Sequence, residues 1–234
     1  MTTNFPGQAR DDRYLETLCL QCVAAHEEDH CQMNNDIAVP SASLTSISRG
    51  ELIDLPIRRY DGPVVIVGGQ ADLQRAMRDI LDDVVIGFDT ETRPAFKPGE
   101  SYLPSIVQFA TARAVYLLRA QQEDLMASMQ EILSSPNVVK AGVSVTDDLR
   151  ALKKLFEFDE SSVIDLGSVA RRHGLKQTGV RNLAGMFLGM RISKGAQTSN
   201  WSAARLTPQQ VTYAATDAWV CRELYLRFSE LKML

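Results

Sequence analysis

Two carboxylates stand two residues apart at the end of an apolar run. Residues 84–88 are apolar and rich in β-branched side chains, which predicts a buried strand, and Asp89 and Glu91 follow directly. Side chains at i and i+2 of a strand point to the same face, so both carboxylates are aimed at one place. Two like charges so close repel each other unless a cation lies between them. The spacing therefore predicts a site for a hard cation such as Mg²⁺ or Mn²⁺, although Asp-x-Glu is also common at solvated strand ends.

Two further groups of polar residues fall on predicted helices. A strand over residues 138–141 leads into a helix whose first turn holds Asp147 and Asp148, but acids at this position also stabilise a helix without any ligand. Tyr213 and Asp217 are four residues apart and share one face of a long helix near the C-terminus. An exposed aspartate beside a core tyrosine is the alternative interpretation there.

The elements that must position these residues form an α/β pattern. Apolar and β-branched runs predict strands at 64–67, 84–88, 105–110, 114–118, 138–141 and 163–164. The third and fourth of them are separated by a few polar residues and predict a hairpin. Helical periodicity predicts helices at 71–81, 122–134, 147–157 and 208–231, the last with Thr207 as N-cap before Pro208. We expect a mixed sheet flanked by helices, in one domain over residues 61–234.

Residues 1–60 differ in composition and predict an N-terminal extension. Segment 11–29 has helical spacing, and segment 33–50 is rich in Asn, Ser and Thr, which predicts an irregular arm. Three cysteines and two histidines of this extension suggest zinc by composition: Cys19, Cys22, His26, His30 and Cys31. A straight helix usually offers only two ligands to one ion, so we expect a packed or solvated helix instead.

The bulk composition limits the class of protein. The chain has 234 residues, a formal net charge of −4 and a pI near 5.5, which disfavours extended coating of duplex nucleic acid. It lacks an apolar run long enough for a membrane span and the pattern of a signal peptide. Four cysteines without the spacing of a disulfide scaffold favour a reducing setting. We expect no membrane association and an intracellular, cytoplasmic location, with the nucleus or an organelle left open.

In combination, the three polar motifs carry more information than each alone. Asp89-x-Glu91, then Asp148, then Tyr213-x-x-x-Asp217 resemble, in this order, the DEDD exonuclease superfamily in its tyrosine-bearing branch. The flanking residues are similar to the Werner exonuclease and ribonuclease D-like domains. The segments that carry this similarity are Lys140-Ala141-Gly142-Val143, Ser199-Asn200-Trp201, Leu206-Thr207-Pro208-Gln209-Gln210 and Tyr213-Ala214-Ala215-Thr216-Asp217-Ala218. The resemblance covers about residues 63–230.

The resemblance implies a ribonuclease H-like fold and a role for each matching residue. Asp89, Glu91 and Asp217 correspond to direct ligands of two Mg²⁺ or Mn²⁺ ions, with Asp89 shared between them. Asp148 corresponds to a ligand of the second ion, directly or through water, and is preferred over Asp147 because of its spacing from the Lys-Ala-Gly-Val segment. Tyr213 corresponds to the residue that orients the attacking water.

The implied activity is 3′–5′ exonucleolytic hydrolysis of RNA or DNA, releasing nucleoside 5′-monophosphates from a single-stranded 3′ end or a short oligonucleotide. We expect substrate contacts from Thr90, Lys194, Asn200 and Trp201, although Trp201 is equally well interpreted as a core anchor. The alternative is a non-catalytic nucleic-acid-binding or assembly module on the same fold. A third interpretation, compatible with the enzyme, is an oligomer-forming interaction protein that uses residues 1–60. The complete set of four acids and a tyrosine favours the enzyme. The sequence leaves the preference for RNA or DNA and the oligomeric state open.

Overall fold

The computed structural model describes residues 45–234. The predicted helix at 11–29 and the cysteine and histidine group of the extension lie outside the described residues, as does most of the predicted arm at 33–50. The seven described helices are α1 (Arg49–Asp54), α2 (Gln70–Leu81), α3 (Glu123–Ser134), α4 (Val145–Leu152), α5 (Leu166–Arg172), α6 (Val180–Leu188) and α7 (Pro208–Glu230). The six described strands are β1 (Val64–Ile66), β2 (Val85–Thr92), β3 (Pro104–Ala110), β4 (Val115–Arg119), β5 (Val139–Gly142) and β6 (Val163–Asp165).

The six strands form one mixed sheet in the order β1-β4-β3-β2-β5-β6. Strands β2, β3 and β4 pair antiparallel, which confirms the predicted hairpin between β3 and β4. The remaining pairs, β1 with β4, β2 with β5 and β5 with β6, are parallel. The predicted mixed sheet flanked by helices is therefore confirmed.

Strand β2 is longer than its apolar run predicts. It continues beyond Phe88 to Thr92 because the polar residues still pair with β3, with a register irregularity between Glu91 and Thr92. Asp89 and Glu91 thus lie within a paired strand rather than after it, and the paired backbone fixes the direction of both side chains.

Helix α4 is shorter than the predicted span of 147–157. It begins at Val145 and ends at Leu152, and the chain continues in tight turns in which the Leu155 N–H donates to the Leu152 carbonyl at 2.8 Å. The apolar spacing that suggested a longer helix is thus satisfied by turns, whose side chains pack against the same core.

The sheet separates two layers of apolar side chains. On one face, Phe88 and Phe109 pack with buried residues of α2 and α3 such as Ile80 and Met129. On the other face, small and aliphatic side chains of β2, β3 and β4 pack against α7, and α5 and α6 extend this layer. Strand β3 is buried along its whole length, as expected for a central strand covered on both faces.

Residues 45–60, which the sequence places in the extension, contact the domain in several places. Helix α1 begins after Ser48, which forms a capping box with Glu51. The backbone of Ile57 forms a β-bridge with Arg191, and the Tyr60 N–H donates to the Thr216 hydroxyl on α7 at 3.0 Å. The end of the predicted irregular arm is therefore an ordered part of the fold.

Helix α7 is the element that brings the C-terminal motif to the sheet. The predicted cap is confirmed, because Thr207 and Gln210 form a capping box and Pro208 is the first helical residue. Ala214, Ala215 and Ala218 are fully buried in the middle of this helix. Among residues 45–234, no helix combines the length and the apolar character needed to cross a membrane.

Candidate active site

Three carboxylates converge between β2 and α7. Asp89 and Glu91 are on the face of β2 that α7 covers, and Asp217 projects from α7 toward them. One carboxylate oxygen from each of the three residues lies within 4.8 Å of the others. Glu91 and Asp217 are buried, with exposed fractions of 7% and 6%. This set supplies several hard oxygen ligands in a small volume, which is what Mg²⁺ and Mn²⁺ require.

The fourth acid, Asp148, lies outside this close set and is held by Thr90 of β2. It is in the first turn of α4, and its carboxylate accepts a hydrogen bond from the Thr90 hydroxyl at 2.5 Å. Because Thr90 lies between Asp89 and Glu91, this hydrogen bond connects Asp148 to the strand of the other acids. The neighbouring Asp147 is exposed and pairs with Arg150.

The turn before α4 sets the position of Asp148. Ser144 has a φ of 63°, a left-handed conformation that is unusual for a residue other than glycine. Its N–H donates to the Asp165 carboxylate, which also caps α5 through the Ser168 N–H. The backbone at Gly142 lies close to β2, since a Cβ on Gly142 would lie 2.6 Å from the Phe88 carbonyl oxygen. Strained backbone of this kind persists where the surrounding structure holds it, often at functional sites.

Burial and mutual repulsion disfavour the ionised forms of the four acids when no cation is bound among them. Burial, followed by repulsion from Asp217 and Asp148, raises the pKa of Asp89 well above its usual range. Burial and then the other acids raise the pKa of Glu91 to about 10. Burial also raises the pKa of Asp148 and of Asp217, each to about 6. A bound divalent cation reverses this preference for the protonated forms, so the donor set fits a metal centre.

Tyr213 lies one helical turn before Asp217 and is directly linked to it. A side-chain hydrogen bond joins the Tyr213 hydroxyl to the Asp217 carboxylate. Burial, followed by the charge of Asp217, raises the pKa of Tyr213 above its ordinary value. The hydroxyl is therefore a neutral donor near neutral pH. It is suited to orienting a group by hydrogen bonding and unsuited to removing a proton.

The four residues expected to contact the substrate differ in whether their side chains are accessible. Lys194 and Asn200 are exposed in the loop that precedes α7. The Thr90 hydroxyl is already engaged by Asp148. Trp201 has no exposed surface and packs with Ile106 and Tyr213, whose ring centroid lies 6.0 Å away. A ring without an exposed face cannot stack on a base, so the structure favours the core-anchor alternative for Trp201.

Lys140 belongs to a motif that carries the resemblance, but its ammonium group does not face the acids. The side chain is fully buried and donates to the carbonyl oxygens of Ser135 and Val138 at 2.6 and 2.8 Å. Burial lowers the pKa of Lys140 to about 8. Its role in the structure is to hold the end of α3 against β5.

Arg181 is a cation near the site that the motifs do not reveal. Burial raises the pKa of both Asp217 and Tyr213, and the charge of Arg181 partly opposes this rise. The Arg181 guanidinium donates to Gln197 at 3.1 Å. The sequence shows it only as one of several basic residues, because its helix, α6, carries no motif. Its place beside α7 arises from tertiary packing, which spacing along the chain does not encode.

Comparison with protein-family models shows which family the chain belongs to. A family model described as 3′-5′ exonuclease matches residues 64–231. The chain belongs to this family. The match covers every described strand, the four acids and Tyr213, and it confirms the affiliation that the DEDD motifs predicted.

Individual relatives of this 3′–5′ exonuclease domain are distant. The chain is 29% identical over 189 residues to the mouse bifunctional 3′-5′ exonuclease/ATP-dependent helicase WRN, covering 76% of this chain and 13% of that protein. It is 29% identical over 143 residues to ribonuclease D of Haemophilus influenzae, covering 60% of this chain and 35% of that protein. The chain thus spans only a minor part of both relatives.

A solved structure supports the fold. The EXO domain of Aedes aegypti Nibbler superposes with a TM-score of 0.66 at 22% identity, covering 75% of this chain and 94% of that one. At this level of identity the likeness shows a shared fold. The ribonuclease H-like architecture expected from the motifs is thereby confirmed.

Proposed function

We propose that this chain is a metal-dependent 3′–5′ exonuclease that hydrolyses phosphodiester bonds of RNA or DNA and releases nucleoside 5′-monophosphates. The observation that carries the proposal is the convergence of Asp89, Glu91 and Asp217 within 4.8 Å, in a family of 3′–5′ exonucleases. Asp148 and Tyr213 adjoin this set through Thr90 and Asp217. These residues supply a candidate for each role that the proposed mechanism needs.

The proposed cofactor is a pair of Mg²⁺ or Mn²⁺ ions. Two hard cations held by these residues would lower the pKa of a water nucleophile and stabilise the oxygen that leaves. Asp89, Glu91 and Asp217 are the proposed direct ligands, with Asp89 shared, and Asp148 is the proposed ligand of the second ion, directly or through water. Their carboxylates, buried at Glu91 and Asp217 and partly buried at Asp89 and Asp148, would supply the negative charge that offsets the cations.

The protein's other groups hold this arrangement and position the reactants. Tyr213, kept neutral by burial and by Asp217, is the proposed donor that orients the attacking water. Thr90 holds Asp148. Lys194 and Asn200, exposed before α7, are the proposed contacts to the substrate strand. The Trp201 ring is buried. We therefore propose that Trp201 affects substrate binding only by fixing the shape of this loop.

The proposed substrate is an unpaired 3′ end or a short oligonucleotide. The chain is acidic overall, with a formal charge of −4, so it lacks the excess of basic residues with which proteins grip long duplexes. A metal-loaded acidic pocket that accepts a strand terminus needs few additional phosphate contacts. A relative named as a ribonuclease supports RNA as a candidate, and a relative named only as a 3′–5′ exonuclease and helicase leaves DNA as the second candidate.

The experiment that tests this proposal uses single-stranded RNA and DNA oligomers labelled at the 5′ end, with Mg²⁺ or Mn²⁺. We expect a descending ladder of labelled products and release of nucleoside 5′-monophosphates. Immediate release of the 5′ label would contradict the polarity. Tight binding of the oligomers without any cleavage, under all metal conditions, would instead support the non-catalytic module.

A further inference from the structure

Gln108 is a buried polar residue without a visible partner. It lies in the middle of β3 and has no exposed surface. Within residues 45–234, neither its Nε2 nor its Oε1 atom has a hydrogen-bond partner. Buried amides are nearly always hydrogen bonded because an unpaired one destabilises the fold, so such an exception calls for a physical explanation.

The strand register places Gln108 beside the acidic set. Gln108 is paired with Asp89 across the β2–β3 ladder and with Leu117 across the β3–β4 ladder. Directly paired residues point to the same face, with Cβ atoms about 4.5–5.5 Å apart. Ile106 and Ala110, two residues to either side of Gln108, pack in the layer beneath α7. The Gln108 side chain therefore shares the face of Asp89, and its other cross-strand neighbour is apolar.

We propose that Gln108 is a positioning residue for the metal centre, whose Nε2 amide donates a hydrogen bond to the Asp89 carboxylate in the metal-loaded protein. The inference rests on the proposed function, in which Asp89 is shared between two ions. Groups that hydrogen bond to a ligand carboxylate orient it, and their loss typically weakens metal affinity or activity by about 10-fold to 100-fold. The amide suits this place because it donates without adding charge. A lysine there would compete with the cations, and an acid would increase the repulsion.

A competing role for Gln108 is purely structural. The Trp201 Nε1 atom is also buried without a partner among the described residues, and Trp201 packs in the same layer as Ile106 and Leu117. If Gln108 serves only to satisfy this indole, directly or through water, its loss weakens the fold and leaves metal affinity unchanged. The two roles therefore differ in what a metal titration measures.

The test replaces Gln108 by Met, which keeps the length and removes the donor, and by Leu as a second apolar variant. Leu117→Met is the matched control, because it alters the other cross-strand neighbour without removing a hydrogen-bonding group. Mn²⁺ affinity is measured by calorimetry, melting temperature in EDTA by circular dichroism, and kcat and KM on a single-stranded oligomer.

We expect both Gln108 variants to bind Mn²⁺ about 10-fold to 100-fold more weakly, the range observed for residues that orient metal ligands. Their melting temperature in EDTA should equal or exceed that of the wild type, because an unpaired amide has been removed from the core. The loss of turnover should be in kcat, with KM for the oligomer nearly unchanged, and Leu117→Met should keep wild-type Mn²⁺ affinity.

Wild-type Mn²⁺ affinity in both Gln108 variants would overturn the inference, and a lowered melting temperature alongside it would assign Gln108 to packing. The proposed function fails separately, if the wild type binds Mn²⁺ but cleaves no oligomer. In that case the Mn²⁺ titration still tests Gln108. A wild type that binds no Mn²⁺ would overturn both proposals.

Discussion

A Cβ atom built on Gly87 would lie 1.8 Å from the carbonyl oxygen of Ala218. Helix α7 therefore rests directly on the backbone of β2, two residues before Asp89 and one residue after Asp217. No side chain can be accommodated at Gly87, because the atom it would meet is backbone and cannot rotate away. This close approach is what sets the separation of the two carboxylates.

Gly87→Ala should displace α7 and disrupt the site. We expect a loss of stability of about 1–3 kcal/mol, the usual cost of overpacking a core, together with loss of divalent-metal affinity and of cleavage. Gly50→Ala is the matched control, since a Cβ at Gly50 meets only the Ser48 hydroxyl oxygen at 3.9 Å. Thermal melts and Mn²⁺ titrations of both variants check this. Full metal affinity in Gly87→Ala would show that the helix position does not control the acids.

Tyr213→Phe and Asp217→Asn should separate positioning from metal binding. Phe keeps the ring but loses the hydroxyl that bonds Asp217, so we expect stability to fall by about 1 kcal/mol and kcat to fall by about 10²–10³-fold. Metal affinity should fall far less than kcat, because the Asp217 carboxylate itself remains. Asp217→Asn should lose metal affinity as well as turnover, because a neutral amide is a poorer ligand for a hard cation. Wild-type rates in Tyr213→Phe would make the tyrosine a packing residue.

Thr90→Val tests whether Thr90 acts through Asp148 or on the substrate. Removal of the hydroxyl leaves the Asp148 carboxylate without its donor, so kcat should fall by about 10-fold or more, as for other residues that hold metal ligands, while KM stays unchanged. Thr92→Val, further along β2, is the control and should behave as wild type. A raised KM with normal kcat would instead make Thr90 a substrate contact.

Metal removal should make stability strongly dependent on pH. Burial raises the pKa of Asp148 and Asp217 to about 6 in the folded protein, above the ordinary value of 3.8, and the pKa of Glu91 to about 10. The folded state thus holds these protons more tightly than the unfolded state. The stability they contribute is complete below about pH 4 and is lost as pH rises through 6 and onward toward 10.

Melting temperatures in EDTA across this pH range check the linkage. We expect a clear decrease between pH 5 and pH 8 and its reversal by Mg²⁺ or Mn²⁺, which stabilise the ionised carboxylates. Asp89→Asn should flatten the decrease because it removes one of the repelling groups. A metal-free melting temperature that rises from pH 5 to pH 8 would show that ionisation of these acids does not destabilise the folded protein.

Local patterns were sufficient to predict much of this fold. The two-residue spacing of Asp89 and Glu91, the four-residue spacing of Tyr213 and Asp217 and the Thr207 cap are each determined by short-range geometry. Their partners across the fold were not predictable. Gln108 is one polar residue in an apolar run, and only the strand register reveals that it stands opposite Asp89.

Other features depend on tertiary contacts that leave no periodic signal. The sequence predicts the strand to end at Phe88, because it cannot show that β3 continues to pair with the polar residues beyond it. The left-handed Ser144 is held by Asp165 from a different strand. Trp201 is equally compatible with a channel or a core in the sequence, and its lack of exposed surface in the structure favours the core.

The most direct test of the metal-dependent mechanism compares wild type and Asp89→Asn in single-turnover cleavage of a 5′-labelled single-stranded oligomer while Mg²⁺ or Mn²⁺ is titrated. We predict cleavage from the 3′ end that requires metal and stops in excess EDTA. Asp89→Asn should bind metal weakly, yield no product above background and keep a metal-free melting temperature at least equal to that of the wild type. Cleavage that persists in EDTA, or that survives in Asp89→Asn at the wild-type rate, would contradict the metal-dependent mechanism.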